Sequence, residues 1–116
     1  MNNKSQMLKG CLEGCVLRII DIKGEIYGYD ILKTLRDNNF STLTEGTLYP
    51  LYTRLQKNEL ITATVRESSI GPARKYYKLT PKGKVALTQF CEDWEEISNS
   101  VHHILHGAIT SQPLSK

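Results

Sequence analysis

The chain has 116 residues and a mass of 13.2 kDa, enough for one small domain with an added element. It is too short for a (β/α)₈ barrel or for a dinucleotide-binding domain joined to a substrate domain. Hydrophobic residues make up 40% and charged residues 23%, which excludes a disordered chain, and the net charge of +3 is mild enough that its placement matters more than its sum.

The segment up to Met7 is polar and no apolar run reaches the length of a membrane span, so neither a secretory signal nor a membrane partner is expected. Cys11, Cys15 and Cys91 are odd in number and form no CxxC pair, which points to a reducing cytoplasm. From Leu8 to Ile22 the apolar residues Leu8, Cys11, Leu12, Cys15, Ile19 and Ile22 recur at helical spacing, and Gly24 ends that helix. A second short helix follows Gly28, with Ile31, Leu32 and Leu35 inward, and Asn38 and Asn39 close it.

The third helix is expected from about Thr44 to Asn58, with Thr44 as N-cap and Glu45 in the first turn, where the helix dipole favours it. Leu48, Leu51, Tyr52 and Leu55 form its inward stripe. Pro50 is expected to weaken or bend its first turns. The wheel then puts Gly46, Pro50, Thr53 and Lys57 outward, flanked by Thr47, Tyr49 and Arg54.

The period next changes to two. Ile61, Ala63 and Val65 alternate with Thr62, Thr64 and Arg66 as a half-buried strand, Ser68 to Ala73 is turn chemistry, and Arg74 to Leu79 is a second strand. On that strand Leu79 and Tyr77 are expected inward. Arg74, Tyr76 and Lys78 are then free for phosphates, with Lys75 reaching from the other face near a Gly71-Pro72 tip. Thr80-Pro81 opens a long last helix whose apolar residues Leu87, Phe90, Trp94, Ile97, Val101, Ile104 and Ala108 make a heptad seam, and a frayed tail follows Gly107.

Three helices, a hairpin and a long helix make a mostly α, α+β fold in the order of a winged helix-turn-helix. A small α+β domain with no DNA role has the same order, and charge separates the two. From Arg54 to Lys84 there are eight Lys or Arg against Glu59 and Glu67, whereas Val85 to His106 carries four acids and no Lys or Arg. A phosphate-binding face needs that concentration. Thr and Tyr hydroxyls on the third helix can reach bases, while Arg54 and Lys57 suit phosphates.

Tyr27-Gly28-Tyr29, Gly46-Thr47-Leu48-Tyr49-Pro50-Leu51, Arg54-Leu55 and the run Gly71-Pro72-Ala73-Arg74-Lys75-Tyr76-Tyr77-Lys78-Leu79-Thr80 together resemble the PadR family of bacterial transcription regulators. The resemblance spans roughly residues 8–106. It implies a winged helix-turn-helix repressor at residues 1–80, a dimerisation helix at 81–107 and a tail at 108–116. It also implies A·T-rich operator half-sites. The sequence departs from the family at Asn58-Glu59-Leu60-Ile61, where a glycine usually precedes Leu-Ile, and in lacking a tryptophan in the first wing strand.

Within this frame the DNA-contact set is Gly46, Thr47, Tyr49, Pro50, Thr53, Arg54, Lys57, Gly71, Pro72, Arg74, Lys75, Tyr76 and Lys78. Tyr27 to Tyr29 are expected to pack the second helix on the first. Leu8, Phe90, Trp94, Ile97, Val101 and Ile104 are expected at a homodimer interface. There Trp94 is either core or, as in similar regulators, the wall of a flat pore for a planar hydrophobic effector. His102, His103 and His106 have spacings that can hold a metal, but histidines at a helix C-terminus suit its dipole in any case, and no metal or cofactor is expected. Cys11 and Cys15 read as buried inert thiols, with redox sensing the alternative. No phosphate loop, nucleophile elbow or acid pair suggests an enzyme. A module that binds a protein through its wing is the reading from a different class.

Overall fold

The computed structural model describes residues 3–107. Its elements in chain order are α1 (Asn3–Lys23), β1 (Glu25–Tyr27), α2 (Gly28–Asp37), α3 (Glu45–Lys57), β2 (Ile61–Arg66), β3 (Arg74–Leu79) and α4 (Pro81–His106). The strands form one antiparallel sheet in the order β1-β3-β2, so the wing hairpin gains a third strand from the α1–α2 connection. This is the winged-helix arrangement, with a long terminal helix added. Among the described residues no helix is long and apolar enough to cross a membrane.

Each helix ends for a local reason. Gly24 takes a positive φ of 79° and its N–H reaches the Ile20 carbonyl. Past α2, Asn39 at φ 80° lets Asn39 N–H reach Arg36 O and Phe40 N–H reach Leu35 O, which is a Schellman closure. Past α3 the same pattern runs from Glu59 to Gln56 and from Leu60 to Leu55, with Glu59 at φ 62°. This is the position where the resembled family usually has glycine. Thr44 caps α3 by accepting from Thr47 N–H at 3.4 Å, and Pro50 is accommodated inside the helix. Thr80 caps α4 by accepting from Gly83 N–H at 2.9 Å, and its own hydroxyl donates to the Glu59 carbonyl at 2.7 Å. That double role ties the start of α4 to the end of α3.

The core joins Leu12, Val16, Leu17 and Ile20 of α1 to Ile31, Leu32 and Leu35 of α2 and to the α3 stripe. Ile61, Tyr77 and Leu79 floor it from the sheet. The α1 face is a correction to the sequence reading. Leu8, Cys11, Cys15 and Ile19 are only half-buried and Ile22 is exposed, because the buried side is turned toward Val16, Leu17 and Ile20. The helix is apolar on two sides, and its second side faces α4. β1 is a strand that the sequence pattern did not reveal. At three residues it is too short to show a period, and its pairing with β3 creates it. In β2 the alternation fails at Val65, which is exposed because the hairpin runs out past the core.

Candidate nucleic-acid interface

The core takes Leu48, Leu51, Tyr52 and Leu55 of α3, and all four are buried. The opposite side carries Gly46, Thr47, Tyr49, Pro50, Thr53, Arg54 and Lys57, each exposed, with Tyr49 at 64%. Three of these side chains have internal partners, the first being Thr47, whose hydroxyl lies at hydrogen-bonding distance, 3.3 Å, from that of Thr44. The Thr53 hydroxyl donates back to the Tyr49 carbonyl at 3.1 Å, and the residue stays exposed. Arg54 pairs with Glu13 of α1 at 3.6 Å across a solvent-exposed gap.

A cleft flanks α3 on each side. Toward α1, a cavity of about 420 Å³ is lined by Lys9 and Leu12 together with Gly46, Thr47, Pro50 and Arg54. Lys9 was absent from the expected set because it lies in the first helix, far from the basic run, and only the α1–α3 packing brings it here. Toward the wing, Lys75 of β3 meets Tyr29 and Tyr49 around a second cavity. The positive charge bordering α3 therefore comes from three elements.

The wing residues divide between the two faces of the sheet. Lys75 shares a face with Val65 and Tyr77, so it turns toward α3. Arg74, Tyr76 and Lys78 share the opposite face with Arg66, Tyr27 and Glu25. The expectation that these three are free needs correction for two of them. Tyr76 is half-buried, its ring 5.7 Å from that of Tyr27, with the Arg66 guanidinium 4.3 Å above it. Arg74 lies over the Tyr27 ring at 4.8 Å, although it remains exposed. Arg66 is also ion-paired with Glu25 of β1. The cause is β1, which supplies Tyr27 and Glu25 as partners. Tyr27 accordingly packs on the wing and not between the first two helices as expected. Lys78, Gly71 and Pro72 are exposed.

Leu8, Phe90 and Trp94 meet around a cavity of about 400 Å³ that Met7, Cys11, Cys15 and Phe40 also line. Ile97, expected at the same interface, does not line this cavity. Ile97, Val101 and Ile104 continue along α4 at 56%, 48% and 61% exposure, with Trp94 at 49%. Ala108 and the tail lie outside the described residues. Cys15 is half-buried, and burial, with Cys11 one turn away, pushes its thiol pKa up, which disfavours the reactive thiolate. Cys91 is exposed and accepts from Arg18 at 3.5 Å. The rings of His102 and His106 lie 4.9 Å apart, and no group of three or more His, Cys, Asp or Glu converges among the described residues.

Comparison with known proteins agrees with this geometry. The model of the PadR-like transcriptional regulator family matches residues 16–89. An uncharacterised protein of Lysinibacillus sphaericus is 34% identical over 106 residues, covering 90% of this chain and 96% of that protein. A crystal structure of a PadR-like transcriptional regulator from Bacillus cereus is 46% identical, with a TM-score of 0.77 over 89% of this chain and 99% of that one. A Streptococcus transcriptional regulator of known structure is 42% identical, with a TM-score of 0.76 over 87% and 98% of the two chains. The winged helix, its exposed third helix and these likenesses carry one conclusion: the chain belongs to the PadR-like family of transcriptional regulators.

Proposed function

We propose that the chain is a homodimeric, sequence-specific repressor in which α3 of each protomer reads half of a pseudo-palindromic operator and the wing holds the DNA backbone. PadR-family regulators are DNA-binding proteins and not enzymes. The observation that carries the reading is the outward side of α3. Gly46 and Pro50 keep it slim, Thr47, Tyr49 and Thr53 offer hydroxyls and a methyl to base edges, and Lys9 and Lys75 border it on either side. Arg54, Lys57, Arg74, Lys75, Tyr76, Lys78 and the Gly71-Pro72 tip serve the phosphates. Residues 1–80 form the reading unit and 81–107 join the protomers, while the tail expected at 108–116 lies outside the described residues. No metal or cofactor takes part, and the site of action is the cytoplasm.

Dimerisation is supported by the α4 seam, because a stripe from Trp94 to Ile104 is too large an apolar surface to leave in water. The Leu8–Phe90–Trp94 cavity opens beside that seam and is the candidate site for a planar aromatic or cationic effector. Such a ligand relieves repression only if it binds the DNA-competent and DNA-incompetent dimers with different affinity.

The test is a salt titration of DNA binding with two variants. Lys75→Ala weakens all sequences alike and lowers the slope of log K against log salt by about one unit, because a phosphate contact positions without specifying. Thr53→Ala changes the preference among sequences. A face that binds a protein instead of DNA shows neither effect.

A further inference from the structure

Five of the six tyrosines of the chain line one cavity of about 230 Å³: Tyr29, Tyr49, Tyr52 and Tyr77, with Tyr27, whose ring is already engaged by Tyr76 and Arg74 on the other face of the sheet, at its border. It lies between the first turns of α2 and α3 and the core-side face of β3. Gly28 makes room for one wall, since a Cβ there would stand 3.1 Å from the Tyr77 ring. Tyr52 and Tyr77 pack with ring centroids 4.7 Å apart, and the Tyr52 hydroxyl is spent on the Gly28 carbonyl at 3.3 Å. Burial, with Tyr77 and Glu45 nearby, pushes the Tyr52 pKa well above its ordinary value, and burial likewise raises Tyr77, so both stay neutral at physiological pH. What this wall offers a guest is chiefly ring surface, whose negative face attracts weakly hydrated cations.

Two charged side chains complete the lining, Glu45 and Lys75. Among the described residues neither forms an ion pair, with each other or with a third group. The helix dipole favours the Glu45 carboxylate in the first turn of α3, yet on a face suited to a polyanion that carboxylate repels phosphate. One carboxylate is also too few oxygens for a hard metal ion, which takes several. The guest that answers both charges and the rings carries a quaternary ammonium and an anionic group. The volume corresponds to roughly seven or eight waters at about 30 Å³ each, which is room for a small aliphatic zwitterion.

We propose that this cavity binds a small quaternary-ammonium zwitterion, with its cationic head over the tyrosine rings beside Glu45 and its carboxylate toward Lys75. The site is separate from the Trp94 cavity and lies on the DNA-facing side of the winged helix. Tyr49 and Lys75 are then shared between ligand and operator, so the two exclude each other. That consequence rests on the reading of α3 given above; the binding site itself does not.

The experiment is a titration of the full-length protein with glycine betaine, followed through the tyrosine ring signals in NMR and carried out without DNA. A saturable shift is expected, with a dissociation constant on the order of 1 mM. Glu45→Gln and Tyr49→Ala, both at exposed positions, each weaken it about tenfold or more, and glycine, which lacks the methylated head, binds more weakly than betaine. No saturable shift, or unchanged affinity in both variants, overturns the site. Betaine has no net charge, so displacement of DNA by it at constant salt is not a screening effect. Displacement supports the shared mouth, and simultaneous binding of betaine and DNA overturns it while leaving the DNA-reading assignment of α3 intact.

Discussion

The ring of Phe90 on α4 occupies the space that Gly14 leaves open on α1: a Cβ at Gly14 would stand 2.1 Å from two of its ring carbons. This contact sets how closely the two helices cross, and with it the direction in which α4 carries its exposed seam. Phe90 also lines the cavity with Leu8 and Trp94, so the same contact shapes the candidate effector site.

Gly14→Ala should therefore destabilise the fold even though alanine is the better helix former. The gain in helix propensity is about 1 kcal/mol, and displacing a whole aromatic ring costs about 1–3 kcal/mol. A thermal melt reads the net loss, and adding Phe90→Leu to the variant restores part of it. A melting temperature above wild type for Gly14→Ala alone contradicts the account.

Glu59 sits at φ 62° in the closure of α3, a region that costs a non-glycine residue about 1–2 kcal/mol. Glycine relieves that strain and loses some to the freedom of its unfolded chain. The pair of Glu59 with Lys82, at 4.0 Å and well exposed, contributes little to the balance. Glu59→Gly should stabilise the protein by about 0.5–1 kcal/mol, measured by urea unfolding.

The α4 seam predicts its own disruption. Ile97 is more than half exposed in the single chain and lies midway along the stripe from Trp94 to Ile104. Ile97→Asp should shift sedimentation from dimer to monomer at micromolar protein while the helical circular dichroism persists. A variant that stays dimeric places the interface elsewhere.

Trp94 is the only tryptophan, so its fluorescence reports one place. Planar aromatic cations should quench it saturably, and the same compounds should lose affinity for Trp94→Ala with its dimer intact. An effector that releases DNA without perturbing Trp94 moves the ligand site away from this cavity.

Most of the architecture was legible from local pattern. The α3 stripe, its Thr44 cap, the wing strands and the Thr80-Pro81 start of α4 are each set by neighbours in the chain, and the structure has them there. What was not legible depends on tertiary pairing. β1 exists through its ladder with β3, and it draws Tyr27 under Arg74 and against Tyr76. The core side of α1 could not be chosen from a helix that is apolar both at Cys11, Cys15 and Ile19 and at Val16, Leu17 and Ile20. Lys9 joins the face bordering α3, and five tyrosines converge, only once helices distant in sequence are packed.

The central claim is that two α3 helices, related by a two-fold axis, read DNA sequence. The measurement that tests it most directly is to recover the genomic fragments the purified protein selects and footprint it on them. The account predicts a pseudo-palindrome with half-sites about one helical turn apart, roughly 10 bp centre to centre or a multiple of it, with both halves protected. Protection of a single asymmetric half-site, or fragments with no shared sequence, would contradict it.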